Sequence, residues 1–250
     1  MPRLGVNIDH IATLRQLRGT PYPDLLEAAR IVEDAGAQQI TVHLREDRRH
    51  IQDQDVKDLR AKLRVPLNLE MCLADEIVRF AKKIRPDWAC LVPEKRAEVT
   101  TEGGLNLLKT KKRAAKVIQD LKKQGTKVSL FIEPSVQAVK LSQALGADAV
   151  EFHTGHYCIL SQMTNPPAKK IEAELKKLET AAKLALQLGI HPHAGHGLDY
   201  DNVRPVVVMD RGGGAPLIEE YNIGHVIVCR AALVGLGQAV REMVSAIAAP

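Results

Sequence analysis

The feature that most constrains the fold of this chain is a repeated alternation of short β-rich runs and longer helical patterns. Candidate strands recur eight times, at 4–8, 39–44, 66–71, 88–93, 127–132, 149–153, 189–195 and 223–229. Segments with apolar residues spaced three and four apart separate many of them, at 25–36, 73–86, 114–125, 139–147, 174–189 and 230–248. Strand followed by helix is the pattern of a parallel sheet, so the order predicts an α/β protein.

Eight strand–helix units in 250 residues favour a closed (β/α)₈ TIM barrel with extra helices. An open doubly wound sheet is the alternative. Its dinucleotide-binding form loses support because no GxGxxG follows the first candidate strand. No linker rich in Pro, Gly or Ser divides the chain, so we expect a single barrel domain over residues 1–250. We expect 210–222 to be a flexible insertion before the last strand.

Composition narrows the class of partner. The net charge of +5 suits nucleic acid, an anionic membrane surface or phosphorylated small molecules. Only 3% of residues are aromatic, so platforms for base stacking are nearly absent and nucleic acid is disfavoured. No run approaches the length of a membrane span or a secretory signal, and the four cysteines form no CxxC pair. These features predict a cytoplasmic protein with reduced thiols and no membrane partner.

Polar side chains collect where the candidate strands end. All nine histidines lie in or just after a candidate strand. In a (β/α)₈ barrel the carboxyl ends of the strands meet at one mouth, so these groups are expected to share a pocket. The strand-end groups are Asn7, Asp9, His10, His43, Arg45, His50, Glu70, Glu133, Glu151, His153, His156, His193, His196 and His225.

Some of these residues have plain structural alternatives. Asp9 could cap a turn or the following helix. Glu151 and His153 alternate with Val150 and Phe152, so the two polar side chains share one face of their strand. If that face points into the barrel, its interior carries charge, which structure alone rarely requires. We therefore expect Glu151, and likewise Glu70, to be functional, whereas His156 and His191 are expected to be structural or peripheral.

A metal site is the alternative for residues 191–196, where the run HPHAGH offers three imidazoles. Pro192 and Gly195 make its geometry uncertain, and no Cys or Asp stands at ligand spacing, so we expect no metal.

A phosphate site is the stronger interpretation for the last two strands. Gly195, Gly197 and the run at 222–225 lie where loops of this fold present backbone N–H groups to a phosphate. A second anion could be held by Arg18, Arg45 and His50 through charge-assisted hydrogen bonds.

Eight stretches of the chain are similar to one known family. They are GVNIDHIATLR, TVHLREDRRHI, NLEM, LVPEKRAEVTTEGGL, VSLFI, EFHTGHY, AGHGL and NIGHVIV. Together they resemble the pyridoxine 5′-phosphate synthase family, which closes the ring in deoxyxylulose-dependent vitamin B6 synthesis. The similarity covers nearly the whole chain in order, and the second and fourth stretches are long and specific. The segments at 210–216 and 158–170 are less familiar.

The resemblance implies a (β/α)₈ barrel assembled as a homo-octamer, a tetramer of dimers. It implies condensation of 1-deoxy-D-xylulose 5-phosphate with 3-amino-2-oxopropyl phosphate, without a metal or organic cofactor. The products would be pyridoxine 5′-phosphate, phosphate and water. By motif, His43 and Glu70 would be proton acceptors, His196 a proton donor, and Glu151 a group that stabilises charge in the transition states.

The resemblance also implies the binding residues. Those for the deoxyxylulose phosphate would be Asp9, His10, Arg45, His50 and Thr100. Those for the aminoketone phosphate would be Asn7, Arg18, Gly197, Gly224 and His225.

The segment at 94–104, which carries Thr100 and the pair Gly103-Gly104, is a candidate lid or simply a long loop. Two rival functions stay open from sequence: a metal-dependent aldolase or epimerase of the same fold, and a binder of phosphometabolites or nucleic acid without turnover. The several proton-transfer groups at the strand ends argue against a binder.

Overall fold

A closed barrel of parallel strands forms the centre of the molecule. The computed structural model describes residues 1–94 and 103–248. Its strands are β1 (Arg3–Asn7), β2 (Gln39–His43), β3 (Leu67–Met71), β4 (Trp88–Leu91), β5 (Lys127–Ile132), β6 (Ala149–His153), β7 (His191–Gly195) and β8 (Glu220–Ile223). They follow each other around the barrel in sequence order, and β8 closes it by pairing with β1. The predicted (β/α)₈ barrel is confirmed, and the open sheet is excluded.

Helices surround the barrel. They are α1 (Asp9–Arg18), α2 (Leu25–Asp34), α3 (Asp53–Lys62), α4 (Asp75–Ile84), α5 (Leu107–Lys122), α6 (Val136–Ala144), α7 (Gly155–Ser161), α8 (Ala168–Gln187), α9 (Arg204–Val207), α10 (His225–Val234) and α11 (Leu236–Ala248). The first, sixth and eighth strands are each followed by a pair of helices, which accounts for the expected extra helices. Among the described residues, the helices are too short or too polar to cross a membrane.

The boundary of the last strand was predicted wrongly. The apolar run 223–229 was expected to be a strand, but β8 ends at Ile223 and α10 begins at His225. The end of the expected insertion supplies β8 instead, because Leu4 of β1 pairs with Tyr221 and closes the barrel there. The predicted helix at 230–248 is in fact two helices, separated at Gly235, where φ is +85°.

The strands carry apolar side chains outward and polar side chains inward. Val150 and Phe152 of β6 are fully buried in the apolar core between strands and helices. The opposite face is different: Asn222 of β8 donates to Glu151 of β6, although these strands are not neighbours. Only the barrel interior permits such a contact. Strands of a parallel sheet are normally apolar on both faces, so this polar interior requires a functional explanation.

Candidate active site

The start of α1 locks β1 to β2. Asn7 Oδ1 accepts from the Asp9 amide at 2.9 Å, and Asn7 Nδ2 donates to Asp9 Oδ2 at 2.9 Å. The other Asp9 oxygen accepts the backbone N–H of His43 at 2.8 Å. Asp9 is the first residue of α1, where a carboxylate also suits the helix dipole. Its carboxylate is therefore committed to the neighbouring strand and does not act as the simple helix cap considered as an alternative.

His43 lies between two carboxylates at the end of β2. Its Nδ1 is 3.8 Å from Glu70 Oε2, and its Nε2 is 3.8 Å from Glu94 Oε2. Both separations exceed hydrogen-bond length, and the imidazole is 5% exposed. An imidazole and two carboxyl groups within this distance can exchange protons with a substrate that enters between them.

Burial changes the ionisation of the two inward carboxyl groups. Burial raises the pKa of Glu70 well above its ordinary value, and the nearby charges of Glu151 and Asp9 raise it further, while the Asn7 side chain opposes the shift. Burial also raises the pKa of Glu151 to about 7. Both groups therefore retain a proton at higher pH than an ordinary glutamate does, and Glu151 is only partly ionised near neutral pH.

His196 stands on a strained turn after β7. Its φ of +73° lies in the left-handed region, which few residues other than glycine adopt. The Thr154 hydroxyl lies 2.8 Å from the Gly195 carbonyl oxygen and 2.7 Å from that of His196, and so ties this turn to the end of β6. Such strain persists only where surrounding contacts enforce it, and it is concentrated at functional sites.

A second histidine faces His196. The ring of His153 is centred 4.8 Å from that of His196, and its Nδ1 is 2.9 Å from Glu133 Oε1. The same Glu133 oxygen accepts the amide of Gly104 at 2.8 Å. Burial and, to a smaller extent, the charge of His153 lower the pKa of His196 to about 4. In the absence of ligand His196 is therefore a neutral imidazole.

Two glycines give the site its room. A Cβ on Gly195 would lie 2.4 Å from Glu151 Oε1, and a Cβ on Gly224 would lie 2.7 Å from the Asn7 carbonyl oxygen. Real Cβ atoms do not approach oxygen so closely, and therefore only glycine allows these strands to reach their neighbours.

The end of β8 presents a helix N-terminus. Gly224 caps α10, and His225 is its first residue. The His225 ring is centred 4.6 Å from that of His10 at the start of α1. The first N–H groups of a helix lack partners within it and attract anions. His225 was expected on a strand; it lies instead at a helix terminus, which strengthens its suitability for phosphate.

The predicted basic residues do not all gather at the mouth. Arg45 is buried, with its Nε 3.6 Å from Glu94 Oε1, and the His50 ring is centred 6.4 Å from that of His43. Arg18 is exposed at the far end of α1, roughly 14 Å along the helix from Asp9 at its usual rise per residue. Within this chain Arg18 is not brought to the other site residues. Thr100 and most of the candidate lid at 94–104 lie outside the described residues.

Sequence reasoning missed Glu94 and Thr154 as members of the site, and it placed His153 at the mouth without giving it a role. Glu94 also accepts the backbone N–H of Glu46 at 2.9 Å and so fixes the loop after β2. The position of Glu94 just after β4, at the carboxyl end of a strand, could have identified it from the sequence. Asn222 was assigned to a phosphate-binding run, but its side chain points into the barrel, where it donates to Glu151.

The three imidazoles at 191–196 do not converge. His191 Nδ1 is 2.8 Å from Glu219, His193 Nδ1 is 3.4 Å from Glu220, and His196 faces His153. Two other groups in the described part of the chain have donor atoms within 4.8 Å of one another. They are Asp9, His43 and Glu70, and Glu46, Cys72 and Glu94. The first belongs to the acid–base centre described above, and burial raises the pKa of the Cys72 thiol to about 12, which disfavours the thiolate that a metal requires.

Proton-transfer groups at the carboxyl ends of the strands, inside a closed (β/α)₈ barrel, define an enzyme of the barrel class. A model of the family described as "Pyridoxal phosphate biosynthesis protein PdxJ" matches residues 4–249. The chain belongs to this family. "Pyridoxine 5′-phosphate synthase" of Syntrophotalea carbinolica is 52% identical over 243 residues, which are 97% of each chain. The protein of that name from Coxiella burnetii (strain Dugway 5J108-111) is 50% identical over 248 residues, 99% of each chain.

Solved structures with the same fold are more distant in sequence. The 3-keto-L-gulonate-6-phosphate decarboxylase of Vibrio cholerae superposes with a TM-score of 0.65 at 14% identity, over 99% of this chain and 97% of its own. Phosphoribosyl anthranilate isomerase from Thermus thermophilus gives a TM-score of 0.57 at 14% identity, over 98% of each chain. At such identity these matches establish the barrel fold alone.

Proposed function

We propose that this enzyme is a pyridoxine 5′-phosphate synthase, which condenses 1-deoxy-D-xylulose 5-phosphate with 3-amino-2-oxopropyl phosphate. The single observation that carries the proposal is the convergence of His43, Glu70 and Glu151 inside one polar barrel mouth, in a chain that is about half identical to proteins of that name over nearly its full length.

The chemistry requires several proton transfers in one pocket. The amine attacks a ketone, and the resulting carbinolamine loses water to form an imine. Enamine formation, loss of one phosphate, carbon–carbon closure and aromatisation follow, and each of these steps moves a proton. One positioned acid or base typically contributes about 10²- to 10⁴-fold. A site with imidazoles and carboxyls of different pKa can serve these steps in turn.

We assign the proton-accepting roles to His43 and Glu70. Glu70 has a raised pKa, so once ionised it is a stronger base than an ordinary glutamate, and it can return the proton as an acid later in the sequence. Glu151, with a pKa of about 7, is partly ionised near neutral pH and can stabilise the positive charge of imine-forming intermediates.

His196 is assigned the role of proton donor. Its pKa of about 4 leaves it neutral in the ligand-free protein. A phosphoester bound beside the ring raises the pKa, because an opposite charge favours the protonated imidazole. Substrate binding therefore charges the donor that later protonates a leaving group.

Two phosphoesters must be held without repelling each other. Gly197, Gly224 and His225 are proposed to hold the aminoketone phosphate together with Asn7, since α10 offers a positive helix terminus there. Asp9, His10, Arg45, His50 and Thr100 are proposed for the deoxyxylulose phosphate. Arg45 and the imidazoles supply positive charge and N–H donors for it.

The test of the proposed function is direct incubation of the purified enzyme with both substrates. Appearance of the aromatic product, followed by its ultraviolet absorbance, is expected only when both substrates are present. Absence of the product while both substrates bind would contradict the proposal and would favour a binder of phosphometabolites.

Replacement of Arg45 tests the phosphate assignment. Arg45→Met is expected to raise the KM for the deoxyxylulose phosphate about 10- to 100-fold, since a hydrogen bond to a charged group contributes about 1.5–3 kcal/mol. Steady-state kinetics with each substrate varied in turn measures this. Arg60→Met is the control, because Arg60 lies at the opposite end of the barrel from Arg45. There its guanidinium is 3.2 Å from the Asp87 carboxylate. An unchanged KM in Arg45→Met would remove Arg45 from the binding site.

Chelation separates the proposal from the metal-dependent rival. Turnover is expected to survive exhaustive dialysis against a chelator, because every proposed proton transfer uses a side chain of this protein. The check is activity before and after dialysis, with metal content determined on the same sample. Loss of activity that a divalent ion restores would favour a metal-dependent aldolase or epimerase.

The proposal extends to organisation and assembly. We propose that residues 1–250 act as one barrel domain in a cytoplasmic homo-octamer, a tetramer of dimers. The exposed Leu14, Leu17 and Leu233 on the adjacent helices α1 and α10 support association, since these side chains are 53%, 76% and 81% exposed in the single chain. Light scattering of the purified protein tests the octamer, and a monomer in solution would contradict it.

A further inference from the structure

A buried amide lies directly beneath the site and touches its central carboxyl group. Asn222 of β8 is 5% exposed. Its Nδ2 donates to Glu151 Oε2 at 2.8 Å, and it lies 3.4 Å from Glu220 Oε1. The amide nitrogen thus bridges a carboxyl group assigned to the reaction and a carboxyl group deeper in the barrel.

The orientation of this amide is fixed by its other end. Asn222 Oδ1 accepts from the Thr41 hydroxyl at 3.1 Å and from Gln39 Nε2 at 3.3 Å. The Gln39 amide is itself oriented, because its Nε2 donates to Glu220 Oε1 at 2.7 Å. A flipped Asn222 would turn its oxygen toward two carboxyl groups and its nitrogen toward two donors. Only the observed orientation satisfies all these partners.

The neighbouring strand β1 makes room for the bridge, because Gly5 pairs with Asn222. A Cβ on Gly5 of β1 would lie 2.1 Å from Asn222 Oδ1, so any other residue at that position would displace the amide. Glycine at position 5 of β1 therefore leaves the space in which the Asn222 side chain reaches from β8 to its partners on β2 and β6.

The two carboxyl groups differ in their partners. Glu220 is paired with Arg3 at 3.0 Å and lies 3.4 Å from His193, so its charge is compensated. Glu151 accepts from the neutral Asn222 and lies 3.8 Å from the Cys90 thiol. Glu151 therefore receives a hydrogen bond from a neutral amide, whereas Glu220 is paired with the positive charge of Arg3.

The charged and titratable groups around Glu151 come from several strands. They are Glu70 of β3, Cys90 of β4, His193 of β7 and Glu220 of β8, and His153 lies further along β6. Burial raises the pKa of Glu151, the Asn222 donor lowers it, the charge of Glu220 raises it, and the Cys90 thiol lowers it by less than Asn222 does. Asn222 is therefore the neighbour that opposes the rise most strongly, and it helps to keep the pKa of Glu151 at about 7.

We propose that Asn222 is a positioning residue that fixes the orientation of the Glu151 carboxyl group and sets its ionisation. Its catalytic consequence rests on the role of Glu151 in the proposed function. Its effect on the ionisation of Glu151 belongs to the ligand-free protein and is measurable without turnover.

Two substitutions test the proposal. Asn222→Ala removes the donor to Glu151, and the milder Thr41→Val removes one of the two donors that orient the amide. In Asn222→Ala the ionisation midpoint of Glu151 is expected to move to higher pH by roughly 0.5 to 1 unit, because a hydrogen bond to the ionised carboxylate is lost. In Thr41→Val the midpoint is expected to move in the same direction by less.

Infrared difference titration of the ligand-free protein measures the midpoint, with Glu151→Gln identifying the carboxyl band. Ser142→Ala is the control, because the buried Ser142 hydroxyl donates to the Ala138 carbonyl within α6, outside the barrel. This variant loses a buried hydrogen bond and should keep the wild-type midpoint. A wild-type midpoint in both Asn222→Ala and Thr41→Val would overturn the proposal.

The pH profile of kcat links the residue to the reaction. Its acid limb is expected to move with the midpoint in Asn222→Ala, and this effect should vanish when Glu151→Gln is already present, since residues that act through one group are not additive. If Asn222→Ala shifted the acid limb of the kcat profile equally in the Glu151→Gln background, the claim that Asn222 acts through Glu151 would be wrong. If no variant or wild-type protein turned over but the infrared midpoint moved, the proposed function would fail while the positioning role stood.

Discussion

Glu70→Gln is expected to lose about 10²- to 10⁴-fold in kcat while it retains the fold and binds both substrates. The amide keeps the size of the side chain but can neither accept nor return a proton, and a positioned acid–base group contributes a factor of this size. The raised pKa of Glu70 adds a second expectation. When the pKa of a carboxyl group is higher in the folded than in the unfolded protein, the folded protein loses stability as pH rises from the unfolded to the folded pKa. At pH 8, Glu70→Gln should therefore unfold at a higher temperature than the wild type.

Steady-state kinetics and thermal melts at pH 5 and pH 8 check both parts. The gain in melting temperature should shrink at pH 5, where Glu70 is largely protonated in the folded protein. Glu76→Gln is the matched control, because Glu76 lies on α4 with its side chain 67% exposed. A wild-type rate in Glu70→Gln would remove Glu70 from the acid–base chemistry.

Gly195→Ala is expected to reduce kcat by at least about 10²-fold, since small misplacements of catalytic groups can have effects of this size. The added Cβ would lie 2.4 Å from Glu151 Oε1 and 3.0 Å from the Asn222 carbonyl oxygen. Glu151 must then turn away from the pocket, or β7 must separate from β8. Either movement displaces a charge-stabilising group together with the turn that carries His196.

The same substitution elsewhere separates this effect from a general loss of stability. Gly237 lies within α11, where the nearest atom to an added Cβ is the flexible Arg241 side chain at 3.3 Å. Gly237→Ala should be neutral or stabilising, because alanine favours a helix by up to about 1 kcal/mol over glycine. Circular dichroism and kinetics on both variants test this. Full activity in Gly195→Ala would show that Glu151 does not need its observed position.

Much of the fold could be predicted from the sequence because strand and helix patterns alternate without a break. β8 was the exception. The run at 226–228 is apolar and β-branched, which locally favours a strand, but it lies in α10. Closure of the barrel decided the outcome, since Leu4 pairs with Tyr221 and Gly5 with Asn222. Such a long-range pairing leaves no local signal in the sequence.

The site was predictable to the extent that it depends on strand ends. His43 and Glu70 lie side by side because β2 and β3 pair in register, with His43 opposite Glu70. The contacts across the barrel were not predictable, since Asn222 and Glu151 are 71 positions apart and their strands are not neighbours. The position of Arg18 depends on the direction in which α1 leaves the barrel, and the sequence around α1 does not determine that direction.

The polar interior links stability to function. Inward carboxyl and amide groups such as Glu151 and Asn222 occupy positions where branched apolar side chains usually fill a barrel of this class. Burial of Glu151 opposes its ionisation, and the hydrogen bond that Asn222 donates to it offsets part of that penalty. The enzyme therefore retains a less stable interior, and in return it holds in Glu151 a carboxyl group whose pKa is about 7.

The most direct test of the central claim, that one barrel mouth joins two phosphoesters into a ring, is the stoichiometry of a single reaction mixture. Phosphate and the aromatic product are measured together by phosphorus NMR after the enzyme is mixed with both substrates. Equal amounts of inorganic phosphate and pyridoxine 5′-phosphate are expected, with neither formed when one substrate is omitted. Phosphate released from a single substrate, or both substrates recovered unchanged, would contradict the account.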